Sequence, residues 1–299
     1  NHPERFPHGI APLVAQATAA GIGIGLWFAP DSINAFANWR RDADAVLDMH
    51  RRLGVRHVKI DGVKSTSKEA EANLWRFFQA VLEESHGAVV FDLDVTAEIR
   101  PGYFGMIQAG CVFVANRYTD WGRYWPHATL RNLWQLAHWI DPVRLRIEFL
   151  NRTRKPDVYG DDPLAPIHHR ADYLFATTLI SSPLGWFEAS NLPAEDAAAV
   201  AAVAAAWREN REDLHAGAIR PILDEPSGAA WTGFASAHPG RTHVLVFRET
   251  NDQRTIDLPL PGNPQRVRLI AGNGAARATG DGLRITIDRQ RDWAWFVAE

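Results

Sequence analysis

The sequence is poor in sulfur: its 299 residues hold one cysteine and two methionines. A lone Cys111 excludes an intrachain disulfide, and no Cys/His spacing of the zinc-binding kind occurs. Long apolar runs are missing as well. No stretch reaches the ~18 residues that a membrane-spanning helix needs, so a membrane is not an expected partner. Runs of one charge are absent and the net charge is -3, which removes nucleic acid from the expected partners. No Gly-rich phosphate turn follows an early strand, and Ser181-Ser182 lacks a nucleophile elbow. His168-His169 has no further ligand spacing, so neither a metal nor another cofactor is expected. The chain opens on Asn1 without a visible signal peptide, and the expectation is a piece of a longer protein. Compartment stays open between cytoplasm and export.

Aromatic residues are plentiful, with 12 Trp and 14 Phe. Aromatic faces stack on the C–H faces of sugars, and they also fill cores, so the excess leans only mildly toward carbohydrate. The stretch that organises the first 216 residues is Val58-Lys59-Ile60-Asp61-Gly62. An amphipathic helix over 39–53 precedes it, ended by Gly54, and the apolar strand 55–60 finishes in the carboxylate of Asp61. Similar units recur, with strands expected at 22–28, 88–93, 111–115, 145–150 and 183–187. Helices are expected between them at 67–84, 128–139 and 168–180 and after them at 194–214, where the Ala-rich 197–206 reads as buried.

Strand and helix alternate six times, and the strands read as near-continuous apolar runs, the pattern of parallel βαβ units. Polar residues follow the strands at Asp31, Asp61, Asp94, Asp120, Asn151 and Glu188, positions that would ring one mouth of a barrel. The expected fold is α/β: a (β/α)8 TIM barrel lacking its first two βα units over 1–216, then a small antiparallel β-sandwich over 217–299. Short alternating stretches at 244–248, 255–258, 267–270, 283–287 and 293–297 carry the second expectation.

Two carboxylates after two barrel strands are the minimum for glycoside hydrolysis, and Asp61 and Asp120 are the candidate catalytic pair. Strand alternation puts Lys59 on the face of Asp61, where a cation favours the ionised carboxylate a nucleophile requires. Arg117 stands similarly near Asp120. Asp94 reads either as a substrate ligand or as a helix cap, and Asp31 is a further candidate for substrate binding. Trp27 and Trp121 read either as sugar-stacking platforms or as core, and Glu188 after Trp186-Phe187 is a further candidate for a sugar hydroxyl.

Arg5-Phe6-Pro7-His8-Gly9, Gly25-Leu26-Trp27-Phe28-Ala29-Pro30 and Val58-Lys59-Ile60-Asp61 together resemble the melibiase-type α-galactosidases, glycoside hydrolase families 27 and 36. The resemblance runs in order over roughly residues 4–190, with a β domain following. It implies a retaining α-glycosidase with Asp61 as nucleophile and Asp120 as acid/base, an oligosaccharide or glycoside substrate, no cofactor, and often a homo-oligomer. Two departures bear on the sugar. Ala29 stands where the family has an acidic residue, and Asp94-Val95-Thr96-Ala97 replaces a Cys/Ser-Gly-Gly pattern. Galactose is the first expectation. N-acetylgalactosamine, transglycosylation and a non-catalytic sugar-binding barrel stay open.

Overall fold

The computed structural model describes residues 4–95, 102–115, 122–185 and 192–299. Contacts divide the chain into two compact units, Asn1–Ala115 and Asn116–Glu299.

The first unit is built of parallel βα repeats. Helix α1 (Ala11–Ala19) leads to β1 (Gly25–Phe28), α2 (Trp39–Leu53) to β2 (His57–Ile60), and α3 (Lys68–Glu84) to β3 (Val90–Asp94). A 3-10 turn over Tyr103–Ala109 then precedes β4 (Gly110–Ala115). The strands lie in chain order, β1-β2-β3-β4, all parallel. Helix α2 buries Ala43, Val46 and Leu47 together with Asp42, which accepts the Asp31 amide at 2.8 Å, and carries exposed Arg40–Asp44 and Arg52–Asp48 pairs one turn apart. Gly54 ends it in the left-handed region at φ 71°, which an L side chain rarely adopts. Ser67 caps α3 by accepting a hydrogen bond from the Ala70 amide at 3.1 Å. Leu74, Phe77, Phe78 and Val81 of α3 pack on Phe91 and Leu93 of β3 and on Val58 and Ile60 of β2.

This core occupies one face of the strands only. Apolar runs buried on both faces were expected of β2 and β3. Their sequences alternate instead, because Lys59, Asp92 and Asp94 point away from the helices.

The second unit starts with α4 (Pro126–Leu136), β5 (Leu145–Glu148), α5 (Ala171–Ala176) and β6 (Ser182–Leu184), where β5 and β6 pair in parallel. The helix expected over 168–180 is shorter, because its start is a 3-10 turn at Pro166–His168. Helix α6 (Ala194–Ala216) follows. It is not the buried helix its alanines suggested: only Asp196, Val203 and Leu214 are buried. Alanine favours helix intrinsically, so this segment forms without a deep apolar face.

Eight antiparallel strands complete the unit: β7 (Ala218–Leu223), β8 (Trp231–His238), β9 (Arg241–Arg248), β10 (Thr255–Pro259), β11 (Val267–Gly272), β12 (Ala275–Thr279), β13 (Gly282–Thr286) and β14 (Asp292–Ala298). Their sheets, β11-β14-β9-β8-β7 and β10-β13-β12, enclose a shared core of Trp231, Val244, Val246, Leu283, Ile285 and Phe296. That is a β-sandwich. Tyr173 of α5 meets Phe247 edge-on at 5.4 Å, joining helix to sheet inside this unit. No helix among the described residues is long and apolar enough to cross a membrane.

Candidate active site

The polar face of the first sheet is set by register. Trp27 pairs with Lys59, Lys59 with Asp92, and Asp92 with Cys111. One step further along, Asp61 follows Ile60, whose partner Leu93 precedes Asp94, and Asp94 pairs with Phe113. All these side chains therefore emerge on the side opposite the helices. The Asp61 amide still donates to the Phe28 carbonyl at 3.1 Å, so the carboxylate leaves from the last ladder position of β2.

Lys59 is the centre of the group. Its Nζ lies 3.1 Å from Asp61 Oδ2 and 2.9 Å from Asp94 Oδ2. The same ammonium stands 4.2 Å from the centre of the Trp27 ring and 5.8 Å from that of Phe113. Asp61 Oδ1 accepts the Gly62 amide at 2.8 Å, so both carboxylate oxygens are oriented. Gly62 sits at φ 66° and turns the chain out of the strand. Exposure is graded: the Trp27 residue is 63% exposed, the Asp61 side chain 33% and the Asp94 side chain 6%.

The predicted residues thus divide into three groups. Trp27, Lys59, Asp61 and Asp94 come together. Asp31 belongs to a different network: its carboxylate accepts Ile33 N at 3.1 Å, Asn38 Nδ2 at 2.8 Å and Arg41 at 2.7 Å. The Asn38 hydrogen bond, first among these, holds its carboxyl below the usual carboxylate range. Arg117, Asp120, Trp121 and Glu188 lie outside the described residues. Phe113 was read only as a strand residue. Its place beside the ammonium follows from cross-strand register, which no local spacing announces.

Two other features bring polar groups or space together. Asp213, His238 and His243 bring ligand atoms within 4.8 Å of one another. However, the Trp295 indole N–H points at His243 Nδ1 from 3.1 Å, which leaves the proton on Nε2, 2.7 Å from Asp213 Oδ2. His238 Nε2 lies 2.6 Å from the Asp213 carbonyl, and Arg241 pairs with the Asp213 carboxylate. The imidazole lone pairs a metal would need are thus not directed at a common point, and the trio fits a hydrogen-bonded clasp between α6, β8 and β9. A cleft of 540 Å³ between α6 and β11, lined by Ala199, Ala202, Val203, Ala206 and Ile270, holds none of the predicted catalytic residues.

No protein-family model and no curated protein matches the sequence. Solved structures do match in fold. A family 36 α-galactosidase from Geobacillus stearothermophilus, solved with 1-deoxygalactonojirimycin, superposes with a TM-score of 0.68 at 14% identity over 98% of this chain and 47% of its own. The α-galactosidase of Lactobacillus brevis gives 0.67 at 11% identity over 99% and 47%. An α-amylase from Anoxybacillus gives 0.63 at 12% identity over 97% and 78%. The chain spans just under half the length of the α-galactosidases it matches. In fold, parallel βα units followed by antiparallel sheets, it resembles part of the family 36 α-galactosidases.

Proposed function

We propose that this chain is part of a retaining α-glycosidase acting on terminal α-galactosides, and that its parallel strands are six of the eight of a (β/α)8 barrel. The observation that carries the reading is Asp61: a carboxylate one-third exposed at the C-terminal end of a parallel strand, oriented at both oxygens by Lys59 and Gly62. The sequence motifs and the fold likeness to α-galactosidases favour galactose.

In this reading an Asp61 oxygen attacks the anomeric carbon while the glycosidic C–O bond breaks. Asp120 gives its proton to the leaving oxygen. Water then attacks the glycosyl-enzyme, Asp120 takes a proton from it, and the Asp61 carboxylate is released. Two displacements retain configuration, and the two carboxyl groups are expected about 5–5.5 Å apart. The Trp27 ring offers a flat apolar platform for a sugar C–H face, and Lys59 offers a donor to a hydroxyl.

The test is a panel of p-nitrophenyl α- and β-glycosides given to the full-length parent protein and to its Asp61→Asn variant, with NMR of the first-formed anomer. Release from the α-galactoside alone, as the α-anomer and lost in Asp61→Asn, is the expected result. Full activity in the variant removes Asp61 as nucleophile. A first-formed β-anomer removes retention.

A further inference from the structure

Asp61 follows Ile60 of β2 and Asp94 follows Leu93 of β3, and Ile60 and Leu93 are paired, so the two carboxylates come from neighbouring positions and share the Lys59 ammonium. Two anions so placed repel, and the ammonium between them offsets that repulsion. The two contacts differ. The Lys59–Asp94 distance is the shorter and involves a side chain only 6% exposed, whereas Asp61 is 33% exposed. A lysine stem has four rotatable carbons and would leave the ammonium spread over many positions. A buried carboxylate on the neighbouring strand restricts that spread, and the Trp27 ring at 4.2 Å bounds it from another side.

We infer that Asp94 is a positioning residue that acts through Lys59, anchoring the ammonium so that Asp61 is held in its attacking orientation; the inference rests on the glycosidase reading above. Asp94 does not serve as a sugar ligand in this view. Its burial directs it to Lys59, while the exposed Trp27 and Asp61 meet the substrate.

The experiment is a double-mutant cycle in the full-length parent, read as kcat and KM on p-nitrophenyl α-galactoside: wild type, Asp94→Asn, Lys59→Met and the double variant. Asp94→Asn is expected to lower kcat about 10–100-fold, the scale of a small misplacement of a reacting group, with KM changed less than about 3-fold. On the Lys59→Met background the same change is expected to alter kcat less than about 3-fold. An effect of Asp94→Asn that persists undiminished without the lysine overturns the proposal, because a purely structural role or a direct sugar contact would persist. A rise in KM with kcat unchanged also overturns it. Asp94→Glu keeps the anion and supplies an independent arm: a lowered kcat with KM held supports the anchor, and an unchanged kcat with raised KM refutes it. A wild type that turns over no glycoside refutes the glycosidase reading and this inference with it. Turnover with additive effects refutes the inference alone.

Discussion

His169 gives the second unit a calculable sensitivity to acid. The residue is 7% exposed, its Nδ1 lies 3.1 Å from the Ala165 carbonyl, and its ring packs 5.2 Å from that of Tyr173. Burial, first among the causes, drives its pKa down from the ordinary 6.5 to about 4, and the Arg291, His127 and His168 charges push the same way. In the unfolded chain the imidazole takes its proton near pH 6.5. Between that value and about 4 the folded protein therefore holds fewer protons than the unfolded one, and stability falls as pH falls. The contribution is fully present above pH 6.5. The gap is worth about 3 kcal/mol when complete and about 2 kcal/mol by pH 5, at 1.36 kcal/mol per pH unit.

The perturbation is His169→Asn, whose amide can still donate to the Ala165 carbonyl without titrating. In NMR of imidazole-labelled protein, the resonance lost in the variant is expected to titrate near pH 4. Urea unfolding at pH 7.5 and 5.0 is expected to show a drop about 2 kcal/mol larger in wild type than in the variant. An assigned resonance titrating near 6.5, or equal drops in the two proteins, would falsify this account.

Two glycines are expected to lose unequally on substitution by alanine. A Cβ at Gly110 would lie 1.8 Å from the Phe91 carbonyl oxygen of the paired strand, and backbone cannot step aside. Gly110→Ala should cost about 3 kcal/mol or more and lower the melting temperature by circular dichroism. At Gly54 nothing lies within 4 Å, so only the left-handed φ resists, and Gly54→Ala should cost about 1–2 kcal/mol. Equal losses at the two sites would contradict this. Ser67→Ala removes the acceptor from the Ala70 amide and should cost about 1 kcal/mol in a urea titration; no change would mean that the cap contributes nothing.

Some of these features were readable in the linear sequence and others were not. The bounds of α2 match the expected 39–53, because a 3.6-residue stripe and a terminal glycine are local signals. The shared face of Lys59 and Asp61 follows from strand alternation in the same way. Three strands of the sandwich were not foreseen. β7 contains Pro221, which argues against a strand until β7 proves to be an edge of its sheet, where a missing N–H is tolerated. β8 lies inside that sheet with Trp231 through Ser236 buried, so its small residues show no alternation. β12, Ala-Ala-Arg-Ala-Thr, has weak strand propensity and is held by pairing with β13.

Asp31 and Asp94 make the same point at the site. Each is an aspartate at or just after a strand, and by sequence each is a candidate substrate ligand. The loop folds Asn38 and Arg41 onto Asp31, while parallel register sets Asp94 beside Asp61 and under Lys59. By itself, then, the sequence determined the alternating α/β order, the limits of α2 and the Lys59–Asp61 pair, because caps and periodicity act over a few residues. Only the tertiary structure decided which of two like aspartates joins the ammonium, because that depends on strand register and depth of burial, and both arise between segments distant in the chain.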